Sequence, residues 1–214
     1  MALALVRRVV PTSTGVAEID GGFLAYEWIG ERSYLGERRW SPLSRGKNVT
    51  SLDAVLVAIG PDQSRILIAI EWKYTESYAS DSVAISRAGT NRVDTYRSLL
   101  EREDSPIVAG GPSRLFFEPH YQLMRQTLLA WQMAEHREHQ VSDWRHILTS
   151  PAANTALLGS SSGHEMSELE QRWRSELRRP DRFSVLTPEQ LSLKLGSSGD
   201  GGDWRAWLNE RYGT

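Results

Sequence analysis

Residues 52–74 read LDAVLVAIGPDQSRILIAIEWKY, and the fold turns on them. Two apolar runs, Leu52 to Ile59 and Arg65 to Tyr74, flank Gly60-Pro61-Asp62-Gln63-Ser64, a hairpin signal. In the first run Ala54, Leu56 and Ala58 alternate with Val55 and Val57. In the second, Ile66, Ile68 and Ile70 alternate with Leu67 and Ala69. Strands apolar on both faces lie inside a sheet covered on both sides. Against that background, Asp53 opens the first strand while Glu71 and Lys73 close the second, and such residues need a partner or a metal in apolar strands.

The hairpin's symmetry sharpens the point. If the turn is centred on Asp62, position 53 falls opposite position 71, where Cα atoms are about 4.5 to 5.5 Å apart and two carboxylates converge. Glu71 and Lys73 are two apart, so they emerge on one face at about 6 to 7 Å, with Trp72 on the other. Converging carboxylates are unfavourable unless a proton or a divalent cation lies between them. Mg²⁺ takes oxygen ligands and suits one or two carboxylates plus a substrate phosphate, and Mn²⁺ is expected to substitute. Lys73 beside the metal would orient the attacking water or stabilise charge on phosphorus. Spacing alone leaves a second reading open, in which Lys73 neutralises Asp53 and Glu71 in a structural ion pair.

Outward from the hairpin, residues 23–29 (FLAYEWI) read as a strand after the Gly21-Gly22 turn, and residues 30–48 as a long polar loop. Residues 82–101 suggest a helical region, and residues 120–138 a long helix free of glycine and proline. That helix puts Gln122, Arg125 and Gln126 on one face, either contacting the scissile phosphate or forming a solvated face. Residues 144–158 include a strand, residues 163–178 a charged helix closed by Pro180, and Thr187-Pro188-Glu189-Gln190 a capping box. Residues 1–195 are read as one domain, and residues 196–214 as a glycine/serine linker with a short terminal helix.

Composition bounds the chemistry. The 214 residues are 40% hydrophobic and 24% charged, as in an ordinary globular α/β or α+β domain. The chain has no cysteine, which excludes thiolate metal sites and cysteine nucleophiles and fits a reducing, cytoplasmic compartment. Met1 to Val10 does not read as a signal peptide, and no apolar run reaches the ~18 to 20 residues of a membrane helix. A net charge of −2 rules out a protein that coats nucleic acid nonspecifically, so any contact is local. The histidines lack ligand spacing, and His136 and His139 read as solvent-exposed. The arginines at 172, 174, 178, 179 and 182 are concentrated enough to contact phosphates, but Glu168, Glu170 and Glu176 offset them, and the stretch reads as a salt-bridged helix. Trp28, Trp131, Trp144, Trp173, Trp204 and Trp207 read as packing residues.

The chain resembles the PD-(D/E)XK phosphodiesterase superfamily, in a bacterial restriction-endonuclease-like branch. The resemblance runs through Tyr34-Leu35-Gly36-Glu37, Thr50-Ser51-Leu52-Asp53, Ile70-Glu71-Trp72-Lys73-Tyr74-Thr75-Glu76, Tyr121-Gln122-Leu123-Met124-Arg125-Gln126 and Arg182-Phe183. It implies an α/β core with a mixed central sheet flanked by helices. It also implies Asp53, Glu71 and the Trp72 backbone carbonyl as Mg²⁺ ligands, Lys73 as the catalytic lysine, and Gln122 and Gln126 at the scissile phosphate. Leu52 stands where the motif has proline. The superfamily's acidic N-terminal helix has little chain to occupy before Phe23, which leaves two expectations: Glu27 or Glu37 supplies its carboxylate, or that helix is missing and activity with it. The expected activity is hydrolysis of DNA phosphodiesters by an endonuclease of restriction, defence or repair type, with a homodimer as the expected assembly. The alternatives are an RNA-cleaving nuclease and a catalytically inert nucleic-acid-binding or complex-forming module.

Overall fold

The computed structural model describes residues 2–37, 49–73, 81–86, 88–108, 112–151, 166–188 and 190. The expected hairpin forms as β3 (Leu52–Ile59) and β4 (Arg65–Trp72), antiparallel in a register from Ile59 opposite Arg65 to Ala54 opposite Ile70. Its turn is closed by Gly60 N–H to Ser64 O at 2.8 Å and by Asp62 Oδ1, which accepts from the backbone and hydroxyl of Ser64. A Cβ on Gly60 would lie 2.7 Å from Ser64 Oγ, so a larger residue there would push aside the side chains that close the turn.

Two short strands share the outer edge of β3. β1 (Gly15–Ala17) pairs with its turn half, and β2 (Ala25–Trp28) with its far half, where Asp53 sits. On the other side β4 pairs in parallel with β5 (Val141–Thr149), and β5 with β6 (Phe183–Leu186). The result is a six-stranded mixed sheet in an α/β fold, as the sequence implied. A parallel neighbour must be reached by a crossover, and the chain between β4 and β5 supplies it with α2 (Arg92–Leu100), α3 (Pro112–Leu115) and α4 (His120–Glu135).

Both faces of the hairpin are covered. Val55, Val57, Leu67 and Ala69 pack against α4, together with Leu169 and Trp173 of α5 (Met166–Ser175). Leu56, Ala58, Ile68 and Ile70 face away from α4 and pack with Val6 of an N-terminal helix, α1 (Ala2–Val9), and with Val10 just after it. Several elements differ from the expectation in extent: the strand expected at 23–29 covers Ala25–Trp28, and the strand expected from 144 already begins at Val141. The region 82–101 becomes helical only at Arg92, where the Asn91 side chain caps α2, and α4 ends at Glu135, where the backbone turns into a 3₁₀ segment at Glu138–Gln140.

Several smaller readings resolve physically. Thr187 and Gln190 form the expected reciprocal cap, Gln190 N–H to Thr187 Oγ1 at 3.2 Å and Thr187 N–H to Gln190 Oε1 at 2.9 Å. Arg172 pairs with Glu168 and Arg174 with Glu170 along α5, while Arg182 pairs with Asp143 at 2.6 Å. Trp131, Trp144 and Trp173 are buried, and Trp28 donates to Glu138 Oε1 at 2.7 Å. His139 is half-buried against Trp28 rather than solvent-exposed, because the 3₁₀ segment turns it under β2. No described helix is long and apolar enough to cross a membrane. The expected linker and terminal helix at 196–214, with Trp204 and Trp207, and the motif residues Tyr74, Thr75 and Glu76 lie outside the described residues.

Candidate active site

The hairpin register, continued one step past Ala54 and Ile70, sets Asp53 opposite Glu71. Asp53 Oδ2 accepts the backbone N–H of Trp72 at 2.7 Å, which fixes that carboxylate at the strand end. Glu71 points to the α4 side of the sheet and is only 1% exposed. Lys73 Nζ lies 2.6 Å from Glu71 Oε1, and its side chain is 12% exposed. The Trp72 ring faces the other side and is partly open to solvent.

Helix α4 completes the cluster. Its residues 122 and 126 are one turn apart on a face buried against the sheet, so both amides reach the same carboxylate. Gln122 Nε2 donates to Glu71 Oε1 at 2.6 Å, and Gln126 Nε2 donates to Glu71 Oε2. Burial, together with the negative charge of Asp53, pushes the Glu71 carboxyl up to about 7, with Lys73 pulling in the opposite direction. The five residues Asp53, Glu71, Lys73, Gln122 and Gln126 are therefore gathered at one place from two strands and one helix.

Arg125 shares the α4 segment but turns elsewhere. Its Nε donates to Thr50 Oγ1 at 2.8 Å and Glu37 Oε1 at 3.2 Å. Glu37 also accepts from Thr50 N–H at 2.6 Å, Thr50 Oγ1 at 2.5 Å and the Tyr96 hydroxyl at 2.6 Å. Four donors on one buried carboxylate make Glu37 a tie between the start of β3, α2 and α4. Glu27 occupies the register position opposite Asp53, yet the ladder skips it. Its φ of 49° turns it out of the pairing, and its exposed carboxylate accepts from Ser51 Oγ at 3.3 Å. Helix α1 carries no carboxylate. Among the described residues no group of three or more His, Asp and Glu side chains is arranged to hold a metal ion, so a metal here would rest on Asp53, Glu71, backbone oxygen and water.

Two groups escaped the sequence reading. Glu118, just before α4, accepts the Gln122 backbone N–H at 3.2 Å; burial raises its carboxyl, while Arg125, Lys73 and Arg92 lower it. Its signal was an acidic residue at a helix start, next to a proline. His146 is fully buried on β5, bonded through Nδ1 to Thr127 Oγ1 at 2.9 Å, and burial lowers it to about 3. It is a neutral core histidine for which periodicity gives no sign.

A family model described as Restriction Endonuclease associating with ARP matches residues 2–213. No curated protein and no solved structure matches the chain.

Proposed function

The chain belongs to the family of restriction endonucleases associating with ARP, and from that premise we propose that it is a Mg²⁺-dependent nuclease of the PD-(D/E)XK type acting on DNA. The observation that carries this reading is Glu71, buried opposite Asp53, with Lys73 on one of its oxygens and the amides of Gln122 and Gln126 turned toward it. Like-charged carboxylates so placed, with one already raised in pKa, have less positive charge nearby than they could use. The available donors are all oxygens, which fits Mg²⁺ and its habit of keeping several waters. Asp53, Glu71 and the Trp72 carbonyl would hold it, and when bound it supplies Lewis-acid charge against a phosphoryl oxygen.

The chain's own residues do the rest. Lys73 Nζ brings a second positive charge next to the carboxylates, where negative charge builds up during attack on phosphorus. Gln122 and Gln126 hold the Glu71 carboxylate in one orientation, so it need not reorganise as charge develops. Asp53 is held by the Trp72 N–H. The family description names association with ARP, and a protein partner for this chain is proposed on that footing.

A second reading has its own observation. Gln122, Gln126 and Lys73 already occupy both oxygens of Glu71, as in an inert module that satisfies its carboxylate without metal. Purified protein incubated with supercoiled plasmid, single-stranded DNA and RNA, in Mg²⁺, Mn²⁺ and chelator, separates the two. Metal-dependent plasmid cutting supports the nuclease, cutting of RNA alone moves the substrate to RNA, and binding without cutting selects the inert module.

A further inference from the structure

Beside the carboxylate cluster, two arginines converge on one aromatic ring. The guanidinium carbon of Arg92 lies 5.3 Å from the Tyr121 ring centroid, and that of Arg125 lies 5.1 Å from it. Tyr121 is itself fixed: it is 5% exposed, and its hydroxyl sits 3.2 Å from that of Tyr96. Each arginine is anchored by one part of its guanidinium only. Arg92 Nη1 donates to Val83 O at 3.0 Å, and Arg125 Nε donates to Thr50 and Glu37. Among the described residues, Arg92 Nε and Nη2 and both Nη groups of Arg125 donate to nothing, and neither arginine is fully buried.

Tyr121 precedes Gln122 on α4, so the pair adjoins the residues around Glu71. Glu118 lies near enough to both arginines and Lys73 for their charges to favour its carboxylate, against the burial that raises its pKa. Arginines prepositioned on an aromatic surface with free donor edges match the oxygens of a phosphate group, which accept two parallel N–H bonds. We propose that Arg92 and Arg125, held over Tyr121, bind a backbone phosphate of the nucleic acid flanking the one to be cleaved, with Glu118 competing for their charge until the strand arrives. This rests on the nucleic-acid reading above and adds a binding subsite to it.

The test is affinity for a short DNA duplex as a function of salt, measured in chelator so that nothing is cut. Losing one phosphate contact should make the slope of log K against log salt shallower by about 0.7 to 0.9. Arg92→Gln is expected to show that change at an unaltered melting temperature, and Glu118→Gln to bind more tightly than the native protein at low salt. If the native protein shows no salt-dependent affinity for DNA or RNA, the proposed function falls and the subsite with it. If it binds but Arg92→Gln leaves the slope unchanged, the subsite alone is overturned. Displacement of the duplex from native protein, but not from Arg92→Gln, by inorganic phosphate at constant ionic strength would assign the arginines to a free anion and overturn the backbone assignment.

Discussion

Glu71 concentrates the chemistry of the site in one side chain. Its carboxyl sits near 7 in the folded protein, well above the ordinary value, because the ionised form is buried next to Asp53. The folded state therefore favours the protonated form. Stability from this group is fully present below the unfolded carboxyl pKa and is lost as pH rises from there through about 7. In chelator, the melting temperature of the native protein should fall relative to Glu71→Gln across that window. A tenfold difference in proton affinity between the folded and unfolded chain corresponds to about 1.4 kcal/mol. A melting difference that stays constant from pH 4.5 to 8 would show that Glu71 is not strained in this way. Lys73 acts on the same carboxylate but is placed for charge that appears only during reaction. Lys73→Met should lower cleavage by roughly 10² or more while metal affinity changes by a small factor. Titration with a non-activating divalent ion, run beside cleavage rates, measures both quantities. Cleavage at the native rate would return Lys73 to the structural ion pair.

Among the elements, the hairpin and α4 meet at Glu71, and they were legible in the sequence to different degrees. The hairpin was readable down to its register, because a period of two and a glycine turn fix which residue faces which: Ile59 opposite Arg65 leads to Asp53 opposite Glu71. The spacing of Gln122 and Gln126 was also readable, but not the carboxylate they share, because contact between a helix and a sheet depends on a crossover through α2 and α3 that local pattern does not encode. The same limit hid β1, three residues long and defined by its pairing with β3, and helix α1, whose apolar face acquires meaning only against Leu56 and Ile68. Glu37 looked like a spare metal ligand until Thr50, Tyr96 and Arg125 were found around it. With α4 docked this way, Gln122→Ala should slow cleavage about 10-fold to 100-fold and leave nucleic-acid affinity nearly unchanged, since phosphate contacts elsewhere persist. Gln126→Ala should also lower stability by about 1 to 3 kcal/mol, because it strips a donor from a buried charge. Cleavage rates and denaturant midpoints distinguish the two, and equal loss of affinity and rate in Gln122→Ala would place that residue in binding.

For the molecule as a whole, the sheet holds both carboxylates at one end of its central hairpin, with buried layers on either side, so a metal bound there would stabilise the entire fold. Binding to the folded state alone adds about 2.7 kcal/mol at a ligand concentration 100-fold above its dissociation constant. In a chain of this size that corresponds to a rise of roughly 5 to 10 °C in melting temperature. Mg²⁺ titrated into metal-free protein should raise the melting temperature progressively, with a concentration dependence that reports the affinity. Asp53→Asn is the informative control: the amide oxygen still accepts the Trp72 N–H that Asp53 Oδ2 accepts, so the strand end keeps its hydrogen bond while one negative charge disappears. In chelator this variant should melt at or above the native temperature, because Glu71 no longer faces a like charge, and added Mg²⁺ should leave it unmoved. Parallel Mg²⁺ responses in native protein and Asp53→Asn would place the metal elsewhere. A native protein that does not respond at all would leave Lys73 and the two glutamines as the whole of what satisfies Glu71, and the inert module would be the better description of this chain.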